Sequence, residues 1–156
     1  MLNIFNPRQT ILVTTRYKEK DNIITLDWHM PVSFFPPLYA IAVGKTRFSH
    51  NLIKKSKVFV VNFMPFELKE KVLFCGRNSG RNMDKFKEAK LEKEESEKID
   101  CPRLKDAIAF LECKVVKEID AGDHTIFIGE ILNHKLKIKE KRVFHTFDDN
   151  FTTTVD

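Results

Sequence analysis

Two apolar segments, Ile23–Trp28 and Leu38–Val43, flank a link that contains three prolines, Pro31, Pro36 and Pro37. The first segment is rich in β-branched residues, and the second is apolar throughout, as expected of a strand covered on both faces. Proline fixes the φ angle and lacks an N–H donor, so the link is predicted to have no regular structure. This stretch therefore predicts two strands joined by an irregular connection, and it favours a fold built from strands.

The rest of the chain continues this pattern of strands joined by short turns. Further strands are predicted at Ile11–Thr15, Val58–Phe63, Ile108–Ile119, His124–Lys137 and Val143–Phe147. Short helices are predicted at Ser49–Lys55, at Glu67–Phe74 and around Phe86 and Leu91, and a loop is predicted at Cys75–Arg81. Strands and helices do not alternate as a parallel sheet requires, so the pattern predicts an antiparallel barrel with inserted helices. The 156 residues suit a single domain, 1–156.

Composition argues against several classes of function. The formal net charge is a mild +5, and the three cysteines, Cys75, Cys101 and Cys113, form no C-x-x-C pair. This usage predicts a reduced, cytoplasmic protein without a zinc ribbon or a disulfide framework. The histidines lack a metal-binding spacing, and no nucleotide-binding glycine motif, nucleophile elbow, signal peptide or membrane span occurs. No metal site is therefore expected, and hydrolytic catalysis is unsupported.

Cations and hydroxyl groups cluster where a helix is predicted to begin. Lys45, Thr46 and Arg47 precede Ser49, which is a good N-cap residue. A helix N-terminus offers free N–H groups and a partial positive charge, so this cluster can bind a phosphate without a glycine loop. Spacing alone favours a plain N-cap beside solvated cations. The only tryptophan, Trp28, fits a core position and the border of a cleft equally well.

Four sequence blocks, taken in order, resemble one known family. They are NIITLDWHMPVSFFPPLYAIAV from Asn22, RFSHNLIKKSKVFVVNF from Arg47, CGRNSGRNMDKF from Cys75 and LECKVVKEIDAGDHTIFIGEI from Leu111. The match runs from about Pro7 to Leu132, and it resembles the flavin reductase-like family of FMN-binding split barrels, which includes flavoredoxins and ferric or flavin reductases. This resemblance implies a mainly β fold, an antiparallel Greek-key split β-barrel with two or three short helices.

The resemblance also implies a flavin site. It assigns Ile24, Thr25, Asp27, Trp28, Val32 and Ser33 to the isoalloxazine and ribityl chain, Arg47, Ser49 and Asn51 to the phosphate end, and Ser79, Gly80, Arg81 and Lys85 to a loop that closes over the flavin. His124 matches a histidine near the nicotinamide or the ring face, and it equally fits a surface position after a turn. Leu52 replaces an asparagine that is frequent in the family, so phosphate affinity is expected to depend on Arg47. The implied cofactor is FMN, or FAD, and the implied assembly is a homodimer with the flavin near the subunit interface.

Three functions are compatible with these residues. The leading prediction is an FMN-dependent oxidoreductase, in which NAD(P)H is a transient co-substrate and passes a hydride to flavin N5. The second is a flavoredoxin-like carrier that takes electrons from a redox partner protein, with Phe34 and Phe35 in a docking surface. The third is a basic barrel that binds nucleic acid through His134–Lys139, but the stacking aromatics that such binding needs are absent there. Neither nucleic acid nor a membrane is expected as a partner.

Overall fold

A computed structural model describes residues 2–155 of the chain. Its strands are β1 (Arg8–Gln9), β2 (Ile11–Tyr17), β3 (Lys20–Leu26), β4 (His29–Ser33), β5 (Leu38–Gly44), β6 (Val58–Phe63), β7 (Lys93–Glu95), β8 (Pro102–Leu104), β9 (Ala109–Ala121), β10 (His124–Leu136), β11 (Phe144–His145) and β12 (Phe151–Thr152). Its α-helices are α1 (Phe48–Ser56), α2 (Lys69–Arg77) and α3 (Lys85–Glu88), and 3-10 helices cover Leu2–Phe5 and Phe66–Leu68. None of the helices in this range has the length and apolar character that crossing a membrane requires.

The main sheet contains seven strands in the order β3-β2-β6-β9-β10-β5-β4, and every neighbouring pair is antiparallel. Its two edge strands, β3 and β4, are consecutive in the chain and are separated by Asp27 and Trp28 alone. Adjacent strands lie about 4.8 Å apart and one residue spans at most about 3.5 Å, so two residues cannot cross a flat sheet of this width. The sheet therefore curls until its edges meet. The Ala42 N–H of β5 donates to the Trp28 carbonyl (2.9 Å), which extends the β4–β5 ladder into the residues that join the two edges. The predicted antiparallel barrel is confirmed, and residues 27–28 are called the seam below.

Apolar side chains pack on both sides of the barrel wall. Ile41, Phe59 and Phe127 are among the fully buried side chains inside the barrel. A second cluster lies outside the barrel, where Ile23 of β3 packs in a group that includes Val72 of α2. Because β2 and β3 are covered on both sides, they carry apolar residues at successive positions rather than at alternate ones. Helices α2 and α3 pack against β3, the strand that leads into the seam.

Proline does not prevent a strand in the link that follows the seam. Pro31 lies in β4, an edge strand that pairs with β5 alone among the described strands. A proline at an edge can turn its missing N–H away from the partner strand, so the ladder loses no hydrogen bond. The prediction of an irregular link is therefore wrong for Met30–Ser33, which lie in β4. It holds for Phe34–Pro37, which lie outside the strands and form a turn.

Three further boundaries differ from the sequence predictions. Strand β3 ends at Leu26, so Trp28 lies in the seam rather than in the strand. Helix α2 includes Cys75–Arg77, which were predicted to be loop, because its buried face continues to Cys75. The predicted last strand is shorter than expected: β11 pairs with β1 and β12 in a separate small sheet. The segment 144–152, which contains β11 and β12, is called the C-terminal hairpin below.

Candidate functional site

A cavity of about 650 Å³ opens at the seam of the barrel, and its volume is typical of a cofactor site. The predicted site residues that line it are Ile24, Thr25, Asp27, Trp28, Arg47, Ser49, Ser79, Gly80, Arg81, Lys85 and His124. The other three, Val32, Ser33 and Asn51, are not part of this lining. Val32 and Ser33 lie on β4, and the side chain of Asn51 is exposed on α1. Most of the residues that the sequence assigned to one ligand therefore meet around one cavity.

The N-terminus of α1 forms one end of the cavity. Arg47 occupies the N-cap position, and its side chain makes no capping hydrogen bond, so the prediction that Ser49 caps this helix is wrong. Ser49 is instead 1% exposed inside the first turn, where its Oγ accepts a hydrogen bond from Asn22 Nδ2 (2.8 Å). Its own O–H can then donate to a ligand in the cavity. A cation, a hydroxyl and a helix N-terminus together can bind an anion.

Lys85 contributes a second cation to this end of the cavity. Asp84 accepts hydrogen bonds from the backbone N–H groups of Phe86 and Lys87, and this cap places Lys85 in the first turn of α3. The side chain is 4% exposed, and Nζ donates to the carbonyls of Ile23 (2.7 Å) and Cys75 (2.8 Å). Burial lowers the pKa of Lys85 to about 8. An ammonium has three N–H donors, so Lys85 retains one for a ligand.

The loop after α2 closes over the same end of the cavity. The Arg81 guanidinium donates to the Thr46 carbonyl (3.0 Å) and lies 5.6 Å from the centre of the Phe48 ring. Gly80 packs directly on the side chain of Asn22, with no room for a Cβ between them. Asn22 is therefore a site residue that sequence reasoning missed, although it is the first residue of the block that carries the family resemblance.

The Gly80→Ala substitution is expected to weaken ligand binding at this end by about tenfold. A Cβ at Gly80 would stand 2.6 Å from Asn22 Cγ, so either the loop or Asn22 must move, and Ser49 would lose its partner. Isothermal titration with FMN measures the change. Asn82→Ala provides the control, because Asn82 is exposed in the same loop and is not part of the cavity lining. Equal losses of affinity in the two variants would contradict the proposed loop contact.

Aromatic side chains form the cavity wall near the seam. The rings of Trp28 and His124 have centroids 4.8 Å apart and an interplanar angle of 35°. His124 Nδ1 lies 2.6 Å from Asp123 Oδ1, which orients the imidazole at the start of β10. Of the two interpretations of Trp28, the structure agrees with the border of a cleft, because the residue is partly buried and lines the cavity. The wall offers aromatic surface with polar atoms at its edge.

The C-terminal hairpin brings a further residue to the cavity, His145, which lies 118 positions from Asp27 in the sequence. His145 Nδ1 is 2.6 Å from Asp27 Oδ2. Asn6 also lines the cavity, and its Nδ2 donates to the Thr146 carbonyl (2.5 Å). Neither His145 nor Asn6 lies in a local motif, so sequence reasoning missed both. Within residues 2–155, no group of three or more His, Cys, Asp or Glu side chains could hold a metal ion.

The chain belongs to the flavin reductase-like family, because the model of the flavin reductase like domain matches residues 4–153. The family resemblance noted in the sequence is thereby confirmed. Among curated proteins, an uncharacterized protein of Archaeoglobus fulgidus is 40% identical over 163 residues, which cover 98% of this chain and 92% of that protein.

Two relatives carry names that state an activity or a cofactor class. The ferric-chelate reductase (NAD(P)H) of Archaeoglobus fulgidus is 33% identical over 99 residues, which cover 63% of this chain and 57% of that enzyme. The flavoredoxin of Methanosarcina acetivorans superposes with a TM-score of 0.85 at 26% identity, covering 96% of this chain and 86% of that chain. The chain is thus similar both to a ferric-chelate reductase and to a flavoredoxin.

Proposed function

We propose that this protein is an FMN-dependent oxidoreductase that takes a hydride from NAD(P)H and passes electrons to free flavin or to another acceptor. The observation that carries the proposal is one cavity, in a flavin reductase-like chain, that joins a cationic end to an aromatic end at the seam. When bound, the flavin supplies the hydride and electron chemistry, and the protein supplies binding and orientation. The NAD(P)H-dependent relative supports the choice of donor.

The cationic end would hold the FMN phosphate. Arg47 and Lys85 supply charge, the Ser49 hydroxyl supplies a donor, and the first residues of α1 line the same space. Arg81 would complete this end from the opposite side, because its bond to Thr46 holds the loop over α1. We propose FMN rather than FAD, because Arg47, Lys85 and Ser49 gather at one end of the cavity, which suits the terminal phosphate of FMN.

The aromatic end would hold the flavin ring and admit the nicotinamide. Trp28 and His124 give this end an apolar wall with a polar edge. Gly44 lines the same space, and a Cβ there would make ordinary van der Waals contact with Arg47 Cγ (3.4 Å) and His124 Nε2 (3.8 Å). Hydride transfer depends on close approach rather than on a strong acid or base, so His124 would act by shaping the donor site.

A homodimer is the assembly that we propose. Val32 and Ser33, which the family resemblance assigns to the flavin, lie on β4 outside the cavity lining of this single chain. Exposed apolar side chains surround them, with Met30 58%, Phe34 89% and Phe35 95% accessible. Burying such a group against a second copy would be favourable, and it would allow β4 of one subunit to contribute to the site of the other.

We propose a cytoplasmic location, because free thiols persist in a reducing compartment. Cys75, Cys101 and Cys113 are all free and buried. Burial raises the pKa of Cys75 to about 11, so this cavity-lining thiol stays protonated and takes no nucleophilic part in the reaction.

Flavin titration followed by steady-state kinetics tests the proposal. The purified protein is expected to bind FMN, with a shift in the visible spectrum, and to oxidise NADH or NADPH above the buffer blank when FMN is added. A protein that stays flavin-free during the titration would refute the whole proposal. Binding of FMN without nucleotide oxidation would refute the reductase activity and leave the electron-carrier function.

A further inference from the structure

Asp27 is held in one orientation at the cavity wall. Its Oδ1 accepts a hydrogen bond from the Thr10 hydroxyl (2.6 Å), and its Oδ2 lies 2.6 Å from His145 Nδ1. Its backbone carbonyl accepts from Arg8 Nε (2.9 Å). Since Asp27 precedes Trp28 in the seam, these contacts fix the point at which β3 passes into β4.

Both ring nitrogens of His145 are engaged. Nδ1 faces Asp27, and Nε2 lies 2.5 Å from the carbonyl of Asp148, inside the C-terminal hairpin. A carboxylate and a carbonyl both accept hydrogen bonds, so the protonated imidazolium is the form that satisfies both partners. A ring with both nitrogens engaged is not placed to exchange a proton with a ligand. Its contribution is to join the hairpin to the cavity wall.

We propose that His145 is a positioning residue of the flavin site, whose protonated ring fastens the C-terminal hairpin to Asp27 and so holds the cavity wall beside the seam. This pair is called the Asp27–His145 clasp. The inference rests on the proposed flavin function and adds to it a regulation of the same site. Loss of the proton from His145 removes the charge from the clasp, weakens the attachment of the hairpin and loosens the wall against which the ligand binds.

Charged groups surround the clasp on each element packed against it. Arg8 of β1 pairs in register with His145, Asp27 faces it from the seam, and Asp149 lies in the hairpin, where it forms an ion pair with Arg77 of α2. Burial disfavours a charge on His145, but the hydrogen bonds to the Asp148 carbonyl and to Asp27 outweigh burial and raise its pKa.

The direction of this pKa shift gives the pH range in which the clasp is present. Because the pKa of His145 is higher in the folded than in the unfolded protein, the clasp is intact below about pH 6.5, the ordinary pKa of histidine. It is lost as the pH rises through the pKa of His145 in the folded protein.

Amide hydrogen exchange of the flavin-free protein tests the clasp itself. The hairpin amides of Thr146 and Asn150, which bond within the hairpin, are expected to lose protection roughly tenfold between about pH 6 and about pH 8.5, after division by the intrinsic rate at each pH. Amides of β6 and β9 in the barrel are expected to keep theirs. Hairpin protection that does not change with pH would overturn the inference, and this result does not depend on whether flavin binds.

The ratio of FMN dissociation constants, His145→Leu over wild type, tests the link to the site. The ratio is expected to be roughly ten at about pH 6 and to fall toward one at high pH, where the wild-type clasp is also lost. Other titrating groups affect both proteins equally and cancel in the ratio. His134→Leu, at an exposed position of β10, is expected to give a ratio near one throughout. A pH-independent ratio for His145→Leu would overturn the positioning role, whereas a failure of both proteins to bind FMN would refute the proposed function and leave the exchange result standing.

Discussion

The Lys85→Met substitution is expected to raise the dissociation constant for FMN about 100-fold, which corresponds to about 2.7 kcal/mol. The two carbonyls that accept from Nζ, at 2.7 and 2.8 Å, hold the ammonium at the cavity wall. Its charge and its remaining N–H therefore meet a phosphate without further ordering of the side chain. Methionine fills similar space without charge or donor. Quenching of flavin fluorescence during titration measures the constant.

The pH dependence distinguishes the charge of Lys85 from a structural effect of the substitution. Burial lowers the pKa of Lys85 to about 8, so the flavin-free site loses this charge above that pH. A phosphate binds the charged form, and the ratio of dissociation constants, Lys85→Met over wild type, is expected to fall from about 100 at pH 7 to about 10 at pH 9. Lys87→Met is the matched control, because Lys87 is an exposed residue on the same short helix. A constant ratio, or an equal loss in the control, would contradict the assignment.

The barrel was largely predictable, because its strands differ from their surroundings in local composition. Segments such as Val58–Phe63 are β-branched and apolar, and the structure has a strand with the same bounds. The strand order that closes the barrel was not predictable in the same way. Closure depends on β3 and β4 being the two edges of the sheet, and local composition carries no information about strand order. The strand at Pro31 was missed because proline is excluded from central strands but tolerated at an edge.

The cavity combines residues that local patterns could and could not indicate. Arg47 and Ser49 stand together in the sequence, and their cluster at a predicted helix start is enough to indicate an anion site. The role of Ser49 within the cluster was misread, because its hydroxyl bonds with Asn22, on another element, instead of capping the helix. His145 reaches Asp27 only when the C-terminal hairpin pairs with β1, so no spacing could indicate it.

The Glu112→Ala substitution is expected to reduce the free energy of unfolding by about 3 kcal/mol. Glu112 lies on β9 and its side chain is inaccessible to solvent. Its carboxylate accepts from the backbone N–H groups of Glu97 (3.1 Å) and Lys98 (2.9 Å) and from Arg103 (2.8 Å). Alanine leaves all three donors without this acceptor and leaves a cavity beneath the loop that follows β7. Urea denaturation monitored by circular dichroism measures the change.

Two further variants test whether the loss of stability comes from the buried carboxylate contacts of Glu112 or from removing any glutamate from β9. Glu118→Ala makes the same change on the same strand, but Glu118 forms a partly exposed pair with Lys57 and is expected to cost less than about 1 kcal/mol. Glu112→Gln keeps one oxygen acceptor, but it replaces the other by an NH2 group that cannot accept, and it loses the charge, so its cost is expected to fall between the two. Because Glu112 is not part of the cavity lining, FMN affinity of the folded Glu112→Ala protein should match the wild type. Equal costs at Glu112 and Glu118 would show that the buried carboxylate does not hold the loop, whereas a selective cost at Glu112 would show that this network stabilises the barrel independently of the flavin site.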